Sequence, residues 1–490
     1  MTADLILVLD AGTTSTRALA FDRSGTVRAS AARPITQHYP VSGWVEHDAE
    51  EIWRLSHDCL DEVAAAVGVG RIACLGLTNQ RETVVFWDRA TGEPLMPAIV
   101  WQDRRGAALC ERWRGEGLEA AVQATTGLVL DPYFSASKIA WALAHCPAVA
   151  AAATAGSLML GTVDSWLLFK LTGGAVHATD ATNASRTLLM DRATCRWDAG
   201  LVARFGVPAA ALPAITDCAG ALGVAKIAGR SLEITGCAGD QHAAAIGQAC
   251  LAPGMVKATY GTGTFVLAHA GAEPPVSAHR LLGTLAWRLG GVPAYALEGS
   301  VFTAGAAVQW LRDGVGLIGT AAETEALARS VRDSGGVTIV PAFTGLGAPH
   351  WRADVRGLIT GVTAATTRAH LARATLEAVA QQTADLMGAL AADGVAATRL
   401  RVDGGMVAND WLCQHLADVL AIPVERPRVI ETTALGCAML AGVGAGLFAD
   451  LAEASTMHVV DRVFTPAMPA AERVAGRLRW AHAVRQALTP

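Results

Sequence analysis

Leu5-Ile6-Leu7-Val8-Leu9-Asp10-Ala11-Gly12-Thr13-Thr14-Ser15-Thr16-Arg17-Ala18-Leu19-Ala20-Phe21-Asp22 is the stretch that decides how this 490-residue chain folds. Two apolar runs flank a corner of glycine and hydroxyl residues, which is the grammar of a β-hairpin. The same grammar returns at Met255-Val256-Lys257-Ala258-Thr259-Tyr260-Gly261-Thr262-Gly263-Thr264-Phe265-Val266-Leu267. The hairpins start about half a chain length apart, which predicts two similar halves, each opening on a Gly-Thr hairpin. The expected domains are 1–250 and 251–490, with the boundary near 247–253.

Working outward, strand-like runs at 72–77 and 83–87 alternate with helical stretches at 49–67 and 106–114. In the second half 337–340 and 400–402 read as strands, and 368–391 and 411–420 as helices. This alternation predicts an α/β architecture. The last forty or so residues carry little pattern. No low-complexity linker separates the halves, so they are expected to pack directly around a cleft.

Composition excludes several classes of function. Lys plus Arg number 39 against 44 Asp plus Glu, a formal charge of −5, so no cationic excess is present to neutralise a nucleic-acid backbone. The 52% hydrophobic content invites a membrane reading, but charges interrupt the apolar runs. The longest soft one, 146–163, is rich in alanine and is expected to be a buried helix followed by a strand, with no membrane span. The first residues have neither a basic segment nor a long apolar one, so no secretory signal is expected. Ten cysteines with no C-x-x-C pair suit reduced thiols in a cytoplasmic protein. The thirteen histidines include no H-E-x-x-H, which argues against a structural zinc site.

Three corners that follow strands combine Asp with Gly: Asp10-Ala11-Gly12-Thr13-Thr14, Gly239-Asp240-Gln241 and Asp403-Gly404-Gly405. Such corners expose backbone N–H groups that cradle phosphate oxygens. Any one alone is an ordinary turn; three together favour a nucleotide. Asp10, at a strand end beside hydroxyls, suits Mg2+, which takes one or two carboxylates with phosphates and waters. None of the four lysines follows a glycine, so a Walker loop is excluded. Gly442-Val443-Gly444-Ala445-Gly446 follows a helix and reads as a helix-ending turn, not as a dinucleotide fingerprint. Thr78-Asn79-Gln80-Arg81-Glu82-Thr83 puts a polar run directly after an apolar strand. Arg81 and Glu82 are there either a solvated pair or a donor and an acceptor for neighbouring hydroxyls of a polyol. Trp101 and Phe265 serve as core or as an apolar wall against carbon atoms.

The residues from Asp10 to Arg17, Gly43-Trp44-Val45-Glu46-His47-Asp48, Thr78 to Thr83, Thr126 to Ser135, Gly239-Asp240-Gln241, Tyr260 to Thr264, Ala342 to Pro349, and Asp403 to Asp410 together resemble the FGGY carbohydrate kinase family, in its branch that acts on glycerol. The resemblance runs over about 5–447. It implies two actin-like (ribonuclease H-like) α/β domains with the active-site cleft between them, and ATP-dependent phosphorylation of glycerol to sn-glycerol 3-phosphate. Arg81, Glu82, Tyr133, Asp240 and Gln241 match the family's polyol-binding positions, with Trp101 and Phe265 matching its apolar wall. Thr13, Thr14, Ser15, Arg17 and Thr262 match its phosphate-binding positions, Gly305, Gln309, Gly405 and Asn409 those nearer the rest of the ATP, and Asp10 the acidic residue associated with Mg2+. A homo-oligomer of two or four copies is also implied.

The chain departs from the family pattern at Ala11 and His242, where glutamine is usual, and 226–230 lacks the glycine-rich run that some members use to bind a sugar bisphosphate effector. The catalytic expectation falls on Asp240, which would accept the proton of a terminal hydroxyl as it attacks the γ-phosphate; its plain alternative is a helix N-cap. A kinase for a related polyol or pentulose is the nearest competing reading. An actin-like or chaperone-type ATPase also explains the hairpins, but not Arg81, Glu82 and Asp240 together.

Overall fold

The strand Leu5–Ala11 (β1) is buried at all seven positions because both faces of its sheet are covered. The computed structural model describes residues 3–352 and 354–489. On one face Leu7, Leu9 and Ala11 pack with Ile52, Leu60 and Val63 of helix α1 (Ala49–Val67). On the other, Ile6 and Val8 meet Leu435, Ala438 and Met439, which come from near the far end of the chain. A strand sandwiched between two layers has no solvent side, and so its sequence runs continuously apolar.

Around β1 the first sheet is mixed. β2 (Ser15–Asp22) pairs with β1 antiparallel, and β3 (Val27–Pro34) with β2 antiparallel. On the other side β4 (Ile72–Asn79) runs parallel to β1. The hairpin of β5 (Ala219–Ile227) and β6 (Arg230–Gly239) completes the sheet, β6 running parallel to β4. In the second half β7 (Val256–Tyr260) pairs antiparallel with β8 (Thr264–Gly271). A hairpin of β9 (Leu282–Leu289) and β10 (Val292–Val301) adds its second strand antiparallel to β8. β11 (Leu400–Asp403) lies parallel to β7, β12 (Val424–Pro427) parallel to β11, and β13 (Val460–Phe464) forms the edge. The order β3-β2-β1-β4-β6 in the first sheet thus recurs, with the same strand senses, as β10-β8-β7-β11-β12 in the second. The halves are two actin-like α/β domains, and the repeat seen in the two Gly-Thr hairpins extends to the topology.

Each half places chemistry at the carboxyl ends of its parallel strands, where open α/β sheets hold ligands. In the first these ends are Asp10 on β1, the Gln80-Arg81-Glu82 turn after β4, and Asp240 after β6. In the second they are the Gly261 to Gly263 turn after β7 and Gly404-Gly405 after β11. Asp240 opens helix α2 (Asp240–Gly247). Helix α3 (Arg368–Ala392) covers the second sheet. Helix α4 (Thr432–Gly444) belongs to the second half by sequence but lies on the first sheet and crosses α2. This crossing is very close. A Cβ on Gly436 would lie 1.8 Å from the Ala243 carbonyl oxygen, and one on Gly247 would lie 2.0 Å from that of Thr432. Only glycine lets α4 hold α2, and so Asp240, at this distance.

Three local expectations are corrected. The helix in 146–163 spans Pro147–Ala155, and of it only Val149 and Ala152 are buried; it is a surface helix whose many alanines imitate a core segment. The final forty residues are not unpatterned, since they form β13 and the 19-residue helix Ala470–Leu488. An edge strand buries only Phe464 and the helix only Trp480, Ala483 and Val484, so hydrophobic periodicity is faint in both. Gly442 and Gly444 lie inside α4, and the turn that ends it falls at 445–446, where Gly446 has φ of 71°. No helix among the described residues is long and apolar enough to cross a membrane.

Candidate active site

Arg81 is the hub of the cleft. Its side chain is 2% exposed. Nη1 donates to Glu298 Oε2 at 2.6 Å and Nη2 to Glu298 Oε1 at 3.1 Å, a bidentate pair across the two halves. Nη2 also reaches the Tyr133 hydroxyl at 3.4 Å, and Nε lies 3.2 Å from Asp240 Oδ1. A second buried guanidinium, Arg186, donates to Glu82 at 2.7 Å and to Glu298 at 2.9 Å, and sits over the rings of Tyr133 and Phe134. Two guanidiniums therefore face three carboxylates, and burial treats the three differently. Burial works against the charge of Glu298, yet Arg186 and Arg81 hold it well below the usual carboxylate range. Burial raises the Glu82 carboxyl against the pull of Arg81 and Arg186. Burial also raises Asp240, against Arg81 and Lys257.

Asp240 differs from the other two in access, because its side chain keeps 29% exposure while Glu82 keeps 2% and Glu298 none. It is the carboxylate a small molecule in the cleft can touch. Its Oδ1 accepts the Gln241 N–H at 2.7 Å. The N-cap of α2 is Gly239, with no side-chain capping bond, so Asp240 does not fill the capping role. Gln241 is fixed in turn by Lys257, a fully buried ammonium on β7 that donates to Gln241 Oε1 and, at 2.9 Å, to Thr259. Glu82 is held at φ of 62°, a left-handed conformation unusual for a residue with a side chain. Such strain persists where surroundings over-determine it; here the Arg186 contact and the Ser135 hydroxyl donating to the Glu82 carbonyl at 3.0 Å do so.

Trp101, Tyr133 and Phe265 form one aromatic group, with Trp101 centred 5.6 Å from Tyr133 and 6.3 Å from Phe265. All three are partly exposed. The Trp101 indole N–H donates to the Thr13 hydroxyl at 2.9 Å, which ties this wall to the first hairpin. In that hairpin Thr13, Thr14 and Ser15 are accessible. Arg17 bridges Asp10 on β1 and Glu431 at the start of α4, one residue from each half. The Asp10 carboxylate and the accessible hydroxyls of Thr13, Thr14 and Ser15 that follow it in the hairpin are hard oxygen donors of the kind Mg2+ takes, so the residues present fit that ion.

The second hairpin rests on the Gly305 turn. Gly305 donates its N–H to the Gly261 carbonyl at 3.0 Å and Ala306 to Thr262 at 3.0 Å, and a Cβ at Gly305 would stand 2.5 Å from the Gly261 oxygen. Thr262, Gln309 and Gly405 are exposed. Asn409 is engaged structurally, its Oδ1 capping helix Asp410–Leu420 and its Nδ2 donating to Thr324 at 3.3 Å. At the departures from the family pattern, Ala11 is wholly buried and its carbonyl accepts the Gln80 N–H at 2.9 Å. His242 is buried, and burial with Arg81 nearby holds its imidazole neutral.

Sequence reasoning missed Glu298, Arg186 and Lys257. Each is a lone charge in an apolar or small-residue segment: Glu298 in β10, Lys257 in β7, Arg186 in Asn183-Ala184-Ser185-Arg186-Thr187. A charge placed where a core residue belongs was the available signal, since such residues are buried only when paired.

Comparison with known proteins agrees with this geometry. Residues 5–247 match the N-terminal domain of the FGGY family of carbohydrate kinases, and residues 256–445 match its C-terminal domain. The chain is 55% identical over 488 residues to a glycerol kinase of Rhodospirillum rubrum, covering 98% of each. It is 55% identical over 485 residues to one of Rhodospirillum centenum, covering 98% of this chain and 97% of that protein. The crystal structure of Plasmodium falciparum glycerol kinase with ADP superposes with a TM-score of 0.94 at 36% identity, covering 100% of this chain and 99% of that one.

Proposed function

The chain belongs to the FGGY family of carbohydrate kinases, and from that premise we infer that it transfers the γ-phosphoryl group of ATP to a terminal hydroxyl of glycerol. The observation that carries this reading is the accessible Asp240 carboxylate between Arg81, 3.2 Å away, and the strand ends that present phosphate-binding hairpins. Phosphoryl transfer asks the protein for positioning and charge stabilisation more than for covalent chemistry. Asp240 takes the hydroxyl proton, the oxygen so freed bonds to the γ-phosphorus, and the bond to the β-phosphate oxygen breaks to leave ADP. The raised carboxyl of Asp240 supports its role as a base better matched to an alcohol than an ordinary carboxylate would be.

Arg81 and Tyr133 offer hydrogen-bond donors to the substrate's remaining hydroxyls, and Trp101 and Phe265 lie against its carbons. Thr13, Thr14, Ser15, Arg17 and Thr262 receive the phosphates, and Gly305, Gln309 and Gly405 the remainder of the nucleotide. Asp10 would hold Mg2+, which when bound neutralises charge on the transferring phosphates. The division at about residue 250 then separates a polyol half from an adenosine half. The ten thiols are all unpaired, which supports a cytoplasmic setting.

Turnover of ATP with glycerol, dihydroxyacetone, xylulose and ribulose tests the substrate assignment. Glycerol is expected to give the highest kcat/KM, because Arg81, Tyr133 and the close aromatic group suit a three-carbon triol. A higher kcat/KM for a five-carbon ketose would move the chain to another branch of its family.

A further inference from the structure

We propose that Asp180 is a positioning residue for the polyol site, one buried carboxylate whose two oxygens fix the two strand ends that carry Arg81 and Asp240. The inference rests on the function proposed above and names a part of that site which none of the sequence motifs picked out.

Asp180 is wholly buried in Ala178-Thr179-Asp180, just before the one-turn helix Ala181–Ala184. Its Oδ2 accepts from the Thr182 hydroxyl at 2.6 Å and the Thr182 N–H at 2.7 Å. That hydroxyl, its proton committed to Asp180, accepts the N–H of Gly239 at 2.9 Å. Gly239 is the last residue of β6, and Asp240 follows it. The other oxygen, Oδ1, accepts from the Asn183 amide at 2.7 Å and the Asn183 N–H at 3.1 Å. The Asn183 side chain then exchanges two hydrogen bonds with that of Asn79, at 3.0 and 3.1 Å. Asn79 is the last residue of β4, and it also donates to the carbonyl of Gln80 at 2.8 Å, immediately before Arg81 and Glu82. Gly239 and Asn79 are register partners in the sheet, so the two relays converge on one rung.

Asp180 is itself steadied, its N–H donating to Asp164 Oδ2 at 3.2 Å and the Cys218 thiol to its Oδ2 at 3.2 Å. Capping the short helix would need only the two backbone N–H contacts. The Thr182 hydroxyl and the Asn183 amide extend the same carboxylate to the catalytic rung, where small displacements of reacting groups are costly in rate.

Thr182 separates the two roles. Thr182→Val keeps the backbone bond that caps the helix and removes only the hydroxyl between Asp180 and Gly239, whereas Thr182→Ser restores that hydroxyl. Four quantities are measured on each folded variant: kcat and KM for glycerol, ADP affinity by calorimetry, and melting temperature. The expected result is a loss of about 10- to 100-fold in kcat/KM for glycerol in Thr182→Val, with ADP affinity within about twofold of wild type and near-wild-type kcat/KM in Thr182→Ser. Asp180→Asn, which replaces one of the two accepting oxygens by an NH2 donor, is expected to lose more than Thr182→Val in the same selective sense. Wild-type kcat/KM in Thr182→Val overturns the proposal, as does an equal loss of glycerol turnover and ADP affinity that Thr182→Ser fails to restore. The wild-type control carries the functional reading separately: if another polyol is turned over in place of glycerol, that reading falls, and the three-variant comparison with that polyol still decides the role of Asp180.

Discussion

Asp240→Asn is expected to lower kcat by about 10²- to 10⁴-fold while leaving the melting temperature nearly unchanged. The substitution keeps shape and removes the ability to accept a proton. The Asn carbonyl oxygen can still take the Gln241 N–H that Oδ1 now accepts, and helix α2 loses no cap because Gly239 fills that position without a side-chain bond. Arg81 loses one carboxylate neighbour but retains its bidentate partner Glu298. Burial already disfavours the charge on Asp240, so removing the charge costs little folding energy. The wild-type rate should fall as the pH is lowered through the Asp240 pKa, which lies above the ordinary 3.8, because only the ionised form accepts a proton. Steady-state rates at saturating glycerol and ATP check the first expectation. A variant that keeps at least half of wild-type kcat would leave Asp240 as a binding residue.

Glu298→Gln is expected to have the largest effect on stability, about 3–5 kcal/mol, because it leaves two buried guanidiniums without the anion they share. Glu298 is wholly buried and receives Arg81 and Arg186, both from the first half, on a strand of the second. It is therefore also a tie between the halves. The urea midpoint of unfolding reads the loss, and KM for glycerol should rise in parallel as Arg81 is released from its fork. The sign of the pH dependence follows from the depressed pKa of Glu298. Below its ordinary value of 4.5 the unfolded chain takes up a proton that the folded cluster refuses. Wild-type stability from this source is thus full above that pH and falls below it, so the gap between wild type and variant narrows in acid. An unchanged midpoint near neutrality would show that the arginines do not depend on Glu298.

The hairpins were legible because backbone geometry writes itself into composition. The phosphate corner needs glycine at Gly263, where a Cβ would lie 2.5 Å from the Val301 carbonyl oxygen, and a strand covered on both faces needs the unbroken apolar run of β1. Helix α1 was equally plain, with Asp48 capping its N-terminus and a clear apolar stripe. Arg81, Glu82 and Asp240 stood out as polar residues at strand ends. What could not be read was pairing over distance. Arg81 and Glu298 are separated by 217 positions, and Arg186 and Glu298 by 112, and no local periodicity records such a partner. Nor was it legible that α4 would leave the second half to lie on the first sheet. Gly442 and Gly444 suggested a turn, whereas both lie inside the helix and a Cβ on Gly444 would stand 2.0 Å from the Thr235 carbonyl oxygen of β6.

ADP release measured with and without glycerol, with the product identified by mass, tests the central claim most directly. The account predicts that release depends on glycerol and that each ADP is matched by one molecule of glycerol carrying one added phosphoryl group. ADP release at the same rate in the absence of glycerol, with no phosphorylated polyol formed, would contradict it.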